Sequence, residues 1–300
     1  MTNGLSVIHI FLEANIMSGN EKKKKLSRRD LFKSSGFAAG ALTLAAGAPK
    51  LTLAAGGETP PLPWQYVPLD PEVVRKKGHQ FYFAGHCAEG AFRAIVDELK
   101  INVGEPFTNI PENMFIYAKG GMVGWASLCG AVNGASCAIN MVTNEEDSTK
   151  LVNELLGWYT KATFPSDTSN QYAVNGEYLV GGKTSAELAQ SVSGSILCHA
   201  SVTNWCKMSG YASGADERSE RCGRLAGDVA AKAVELLNQH AEGTFVPVFE
   251  IPSEAQYCRT CHSKGKDYEL GQFTRGKMNC GICHDPHPIK DSCTQCHDPH

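Results

Sequence analysis

The sequence predicts a mainly α-helical fold: a helical N-terminal domain followed by a small C-terminal domain with little regular structure. Three observations carry this expectation. Apolar residues recur at helical spacing in long stretches between residues 73 and 242. A run at 121–142 is small and apolar all round, which suits a buried helix whose neighbours approach through Gly and Ala. The last 43 residues hold three Cys-x-x-Cys-His units, too dense for an ordinary hydrophobic core. The chain of 300 residues, at 42% hydrophobic and 20% charged, can still bury a real core between these ends. A net charge of −3 leaves no basic field for nucleic acid and no polybasic membrane patch.

Taken in order, residues 1–56 read as an address. A lysine run leads into Ser27-Arg28-Arg29-Asp30-Leu31-Phe32-Lys33, and a mild Ala/Gly-rich stretch follows. Paired arginines before a weakly apolar region are the twin-arginine export signal. The stretch is broken by Pro49 and Lys50 and makes a poor membrane span. The expected location is therefore the periplasm, with cleavage between about residues 48 and 57 and no integral membrane span. This route moves folded proteins, so something in the chain needs assembly before export.

Residues 57–242 form the predicted helical domain. A proline-rich extended arm covers 57–72. A helix over Cys87–Lys100 buries Ala91, Phe92, Ile95, Val96 and Leu99, and a second covers about 112–119. The run at 121–142 is taken as one buried helix. Asn144 starts a helix to about Ala162, and Asn175-Gly176 suggests a short hairpin. Thr184-Ser-Ala-Glu187 resembles a capping box opening the helices that carry Cys198 and Cys206. Ala215–Ala241 reads as one long helix ending at Gly243.

Residues 243–300 form the second domain. Its units are Cys258-Arg-Thr-Cys261-His262, Cys280-Gly-Ile-Cys283-His284 and Cys293-Thr-Gln-Cys296-His297. In such a unit two thiols add to the vinyl groups of one haem, and the adjacent His becomes the proximal iron ligand. The expected cofactor is haem c, as two or three haems on three motifs, and the domain is then packed around porphyrin, with short helices carrying each unit. A zinc ribbon is the rival, since two Cys-x-x-Cys pairs separated by nine residues, between Cys283 and Cys293, could hold one ion. A ribbon needs no His after every second Cys, and a third pair would be left over. For distal ligands the candidates are His79, His86, His199, His240, His287 and His300. His287 and His300 belong to a repeated His-Asp-Pro-His, and each is placed to ligate a neighbouring haem.

Six more cysteines, Cys87, Cys129, Cys137, Cys198, Cys206 and Cys222, lie in the helical domain. Cys129 and Cys137 are eight apart, as are Cys198 and Cys206, and eight helical residues rise about 12 Å. One small cluster takes at most one member of each pair. With Cys87 and Cys222 that makes four thiols from four segments, the donor set of a 2Fe–2S or 4Fe–4S cluster. Disulfides or buried thiols acting as small apolar residues are the alternatives.

The segments Cys87-Ala-Glu-Gly-Ala, Cys129-Gly-Ala-Val-Asn-Gly134, Gly194-Ser-Ile-Leu-Cys198 and Arg221-Cys222 resemble the redox-active family named for a Cys, a GCAxxG-like segment and two later Cys. Leu128 stands where that pattern has the Gly before its second Cys. Joined to a twin-arginine signal and a haem tail, this domain resembles the split-Soret cytochromes c over most of the mature chain. The resemblance implies a homodimer with stacked haems, bis-His iron, an axial ligand lent across the dimer, and an iron–sulfur cluster, expected as 2Fe–2S. It favours Cys87, Cys129, Cys198 and Cys222 as cluster ligands, with Cys137 and Cys206 as alternates. That family has two haems per chain, against three motifs here.

The function expected is electron transfer between redox partner proteins rather than catalysis, because six candidate histidines can saturate three irons. Two alternatives stand beside it: a haem-containing reductase with one open iron site, and a zinc- and disulfide-stabilised interaction protein without a redox role.

Overall fold

A computed structural model of the chain describes residues 59–260, 262, 276–279 and 281. The twin-arginine segment lies outside the described residues. So do Cys261, Cys280, Cys283, His284, His287, Cys293, Cys296, His297 and His300.

The fold is mainly helical, as expected. An extended arm leads to Asp70, whose carboxylate accepts from Glu72 N at 2.8 Å and caps helix α1, Pro71–Asn102, with Pro71 in the first turn. The arm is held by Asn238, which hydrogen-bonds the Leu69 carbonyl and the Tyr66 hydroxyl. Helix α1 is broken at His86 (φ 68°, ψ −172°), and its arms fold back on each other. Lys77 bonds both Asp97 and Glu98, residues that would lie about 30 Å away along a straight helix. Gly90 permits the fold-back, since a Cβ there would stand 2.8 Å from the Gly78 carbonyl oxygen. The second arm starts at residue 87 and buries Ala91, Phe92, Ile95, Val96 and Leu99, the stripe its periodicity predicts.

Helices α2, Gly130–Val142, and α3, Glu145–Lys161, follow; Asn144 caps α3 through Asp147 N at 2.9 Å. A short helix α4, Asp167–Val174, is capped by Ser166. Strands β1, Thr163–Phe164, and β2, Ser191–Val192, pair antiparallel, with Thr163 opposite Val192. Helix α5 spans Cys198–Ser209 and ends on Gly210 in the left-handed conformation. Helix α6, Asp216–Ala241, is the long predicted helix, stopped at Gly243 (φ 69°). Its buried Leu225, Val229, Ala230, Ala233, Val234 and Leu237 pack on α1 and α2 to form the core. Helix α7, Ser253–Arg259, carries Cys258.

Four local expectations are corrected. The helix expected over 121–142 starts only at Gly130: Gly120, Gly121, Met122, Val123, Gly124 and Ala126 all take positive φ, so residues 119–127 form a turn-rich loop. At 112–119 there is only a 3-10 turn, Ile116–Ala118. Asn175-Gly176 ends helix α4 rather than turning a hairpin. Thr184 Oγ1 accepts from Ala186 N at 3.1 Å, which makes a turn, not a capping box. Residues 184–197 are non-helical, so Cys198 opens its helix instead of lying within it.

Candidate metal centre

Three thiols of the predicted set are positioned by a chain reversal or a helix start, and the fourth by the long helix α6. The break at His86 makes Cys87 the first residue of the second arm of α1. Cys129 is the N-cap residue of α2, and Cys198 is the first residue of α5. These two are drawn together by an antiparallel bridge between Leu128 and Leu197. Across it Cys129 N donates to the Ile196 carbonyl at 2.9 Å, and Cys198 N to the Ser127 carbonyl at 2.7 Å. Cys222 lies in the second turn of α6. Gly130 sits directly beneath Cys87, where a Cβ would meet the Cys87 sulfur at 2.7 Å.

The structure brings these four together. Cys87 interacts electrostatically with Cys129, Cys222 and Cys198; Cys129 with Cys222; and Cys198 with Cys129 and Cys222. All six pairs are thus within reach of one another. Cys137 is outside this set, its thiol perturbed only by burial, and Cys206 lies two turns further along α5. All six carry free thiols.

The surroundings work in two directions. Burial, with the neighbouring thiols, pushes Cys87 up and Cys198 up to about 12; burial also raises Cys129. Against this, donors point at the sulfurs. The Gly120 backbone bonds Cys87, the Ala131 backbone bonds Cys129, and the Arg218 side chain bonds Cys222, while the Tyr159 hydroxyl, which donates to Ser201 Oγ, lies beside Cys129. Three thiols also sit at helix N-termini, the positive ends of their dipoles. In the metal-free fold Cys87, Cys129 and Cys198 are therefore protonated at neutral pH. A cation bound there would displace the protons and leave thiolates with hydrogen-bond donors in place.

This donor set, four soft sulfurs from four segments, fits an iron–sulfur centre or a thiophilic ion. Among the described residues, no group of three or more His, Cys, Asp or Glu side chains stands ready to hold a single metal ion. The thiols share one region without yet forming a closed shell. Cys87 and Cys129 are buried, whereas Cys198 and Cys222 are half-buried, so the centre meets the surface on that side. The loop over it is tied down by Glu89, a buried carboxylate that accepts from Asn113 N at 3.0 Å and Phe115 N at 3.2 Å.

The histidines divide. His79 is a core residue, bonded through Nε2 to Glu220 Oε1 at 2.9 Å and stacked on Tyr178 at 3.7 Å. His240 pairs with Asp147 at 3.1 Å. His86 and His199 are exposed, each beside a thiol of the tetrad.

The tail leaves α6 and returns along α3. Glu154 accepts from Val248 N at 2.7 Å and from Phe249 N, and Lys277 donates to Asn153 Oδ1 at 2.8 Å. The Met278 sulfur contacts Ser195 Oγ at 3.4 Å and accepts from Ile196 N at 3.3 Å. The second attachment motif thus begins two residues from a side chain seated on the segment that leads into Cys198. In the first motif, His262 N donates to the Cys258 carbonyl at 3.0 Å. Sequence reasoning missed Arg221 and Arg218, the cations beside the thiols.

Residues 85–236, which span the whole tetrad, match the redox-active protein family (C_GCAxxG_C_C). The chain is 32% identical over 226 residues to the split-Soret cytochrome c of Desulfovibrio desulfuricans, covering 74% of this chain and 77% of that protein. A solved structure, described as a novel iron centre in the split-Soret cytochrome c from Desulfovibrio desulfuricans, superposes with a TM-score of 0.63. It shares 31% identity and covers 75% of this chain and 91% of its own. Sequence and fold agree over most of both chains, and the chain belongs to the split-Soret cytochrome c family.

Proposed function

We propose that this chain is a periplasmic multihaem c-type cytochrome in which haem c is held by the three C-terminal motifs and a 2Fe–2S cluster by Cys87, Cys129, Cys198 and Cys222. The coarser statement, a redox protein serving electron transfer, follows from the family. The observation that carries the finer reading is the density of attachment motifs: Cys258, Cys261, Cys280, Cys283, Cys293 and Cys296 supply three thiol pairs, each followed by His262, His284 or His297. The relative is itself named a cytochrome c, and its structure is described by its iron centre.

In this reading the haems and the cluster supply one-electron redox chemistry. The chain supplies the rest. His287 and His300 lend distal imidazoles to two of the irons, and a histidine lent across the dimer closes the remaining position, so the protein carries electrons without transforming a substrate. The helical fold holds the second centre in a low-dielectric wall, open on the side of Cys198 and Cys222. The protein works as a homodimer with redox partner proteins, exported by the twin-arginine route through Arg28 and Arg29. Among the described residues no helix is long and apolar enough to cross a membrane.

The test is the mass and haemochrome spectrum of the exported protein. Covalently added porphyrin on two or three of the motifs is expected, together with loss of export in an Arg28→Lys/Arg29→Lys variant. A colourless mature chain without added porphyrin mass would overturn the proposal, and zinc in its place would favour the ribbon.

A further inference from the structure

Three arginines are buried in the helical domain, and two are neutralised in the usual way. Arg75 pairs with Glu72 and Asp228. Arg224 pairs with Glu220 and bonds Asn170 and the carbonyls of Thr184 and Ala186. Arg221 is different. It is 1% exposed, yet among the described residues no carboxylate lies within ion-pair distance of it. Its Nη2 donates to Ser201 Oγ at 3.0 Å, which also receives the Tyr159 hydroxyl at 3.1 Å. Its Nε is buried without a hydrogen-bond partner.

A guanidinium does not lose its proton in a protein, so this charge persists when buried. Burying it without a counter-ion is strongly unfavourable. The titratable groups that feel it are Cys129, Cys198 and Tyr159. Among the described residues no carboxylate offsets this charge, and its Nε has no partner in the fold. Once the tetrad holds a metal centre, its sulfurs are thiolates and the centre is anionic.

We propose that Arg221 is the internal counter-charge of the centre held by Cys87, Cys129, Cys198 and Cys222, a positioning residue that favours the reduced, more negative state. This rests on the reading of the tetrad as a thiolate-ligated redox centre. Reduction adds one electron to the centre, supplied by a redox partner, and no bond to Arg221 forms or breaks. The guanidinium is fixed by Ser201 and Tyr159, so it stabilises the added charge without reorganising. Burial on the rigid face of α6 keeps solvent from screening it. Arg218, one turn earlier and bonded to Cys222, assists from the half-exposed side.

The experiment uses the full haem-bearing chain with Arg221→Met and Arg221→Lys. The cluster is followed by its EPR signal in a potentiometric titration, with the haem bands as internal control. In Arg221→Met the ratio of reduced to oxidised cluster at a fixed potential should fall at least tenfold, about 59 mV for a one-electron couple. Arg221→Lys should recover most of that loss, and the haem potentials should stay put. After chelation of non-haem iron the expectation reverses: Arg221→Met should melt at or above the wild-type temperature, because an uncompensated charge has gone. An unchanged cluster potential in Arg221→Met overturns the proposal. So does a lowered melting temperature in the stripped chain, the mark of a merely structural residue. Wild-type protein without acid-labile sulfide would instead sink the cluster reading, and the counter-charge proposal with it, whereas an unchanged potential in a sulfide-containing Arg221→Met overturns the proposal alone. Should Arg221→Met fail to accumulate, Ser201→Ala, which frees Nη2, should shift the potential in the same direction by a smaller amount, and no shift there counts against the proposal.

Discussion

Replacing His86 by glycine should stabilise this protein, although the change removes a whole side chain. His86 holds φ 68° and ψ −172° in the middle of α1, a region of backbone space that essentially only glycine occupies freely, at a cost of about 1–3 kcal/mol for other residues. The side chain returns little. It is exposed, and its ring only edges Tyr82 at 6.2 Å between centroids. Glycine relieves the strain but loses about 0.5–1 kcal/mol through the freedom of its unfolded chain. The net gain is about 0–2.5 kcal/mol, centred on about 1 kcal/mol. At about 2–4 °C per kcal/mol for a domain of this size, the melting temperature rises by up to about 10 °C. His86→Ala keeps the strained backbone and should stay within about 0.5 kcal/mol of wild type. The assay is reversible thermal or urea unfolding followed by the helical circular dichroism signal of the chain freed of non-haem iron. If His86→Gly is no more stable than His86→Ala, the fold-back of the two arms is not strained at this residue, and the account of how Cys87 is placed fails.

Further predictions come from other parts of the molecule. In Gly130→Ala the new Cβ meets the Cys87 sulfur at 2.7 Å and the Ala118 carbonyl at 2.8 Å; overpacking costs about 1–3 kcal/mol, and non-haem iron content should drop, while Gly181→Ala, in open space, should change neither. Asp228 is buried and accepts from Arg75 at 2.5 Å and from the Ser166 and Ser169 hydroxyls at 2.6 Å; Asp228→Ala leaves Arg75 without its buried partner and should cost about 3–5 kcal/mol in urea unfolding. Glu154→Ala orphans the Val248 and Phe249 amides, and limited proteolysis between 243 and 252 should accelerate with little change in the helical melt. The metal-free chain should lose stability in alkali. Cys87, Cys129 and Cys198 are raised above their ordinary value of 9.0, so their stabilising contribution is complete below pH 9 and declines as pH rises toward the folded value of about 12 for Cys198. Each thiol still protonated in the fold but ionised in the open chain removes about 1.4 kcal/mol per pH unit; a flat stability profile above pH 9 would contradict this.

Where one residue decides a conformation locally, the sequence was readable. Asn144 and Gly243 mark helix ends because cap chemistry is local, whereas the start at Pro71 was taken into the extended arm expected over 57–72. The second arm of α1 was visible for the same reason, its apolar stripe running from Ala91 to Leu99. The break at His86 was not, because no side chain there asks for a left-handed backbone; the packing of the two arms imposes it. Residues 121–129 misled through composition: small apolar residues fit a buried helix, but Gly120, Gly121 and Gly124 fit tight turns equally well, and tertiary pairing of Leu128 with Leu197 decided the matter. Helical rise showed only that a cluster takes one thiol of Cys129/Cys137 and one of Cys198/Cys206; the choice of Cys129 and Cys198 came from the resemblance to the C_GCAxxG_C_C pattern. The cation beside the tetrad also left a signal. Arg221 lies four residues before Leu225 and eight before Val229, on the apolar stripe of α6, where a charge needs a reason to be.

The account stands most directly on non-haem iron and acid-labile sulfide measured side by side in wild type, Cys129→Ser and Cys137→Ser, each normalised to covalently bound haem. Wild type and Cys137→Ser should carry equal iron and sulfide beyond the haem, while Cys129→Ser loses most of both with its haem count intact. Equal loss in both variants, or none in Cys129→Ser, would show that the four converging thiols are not the centre.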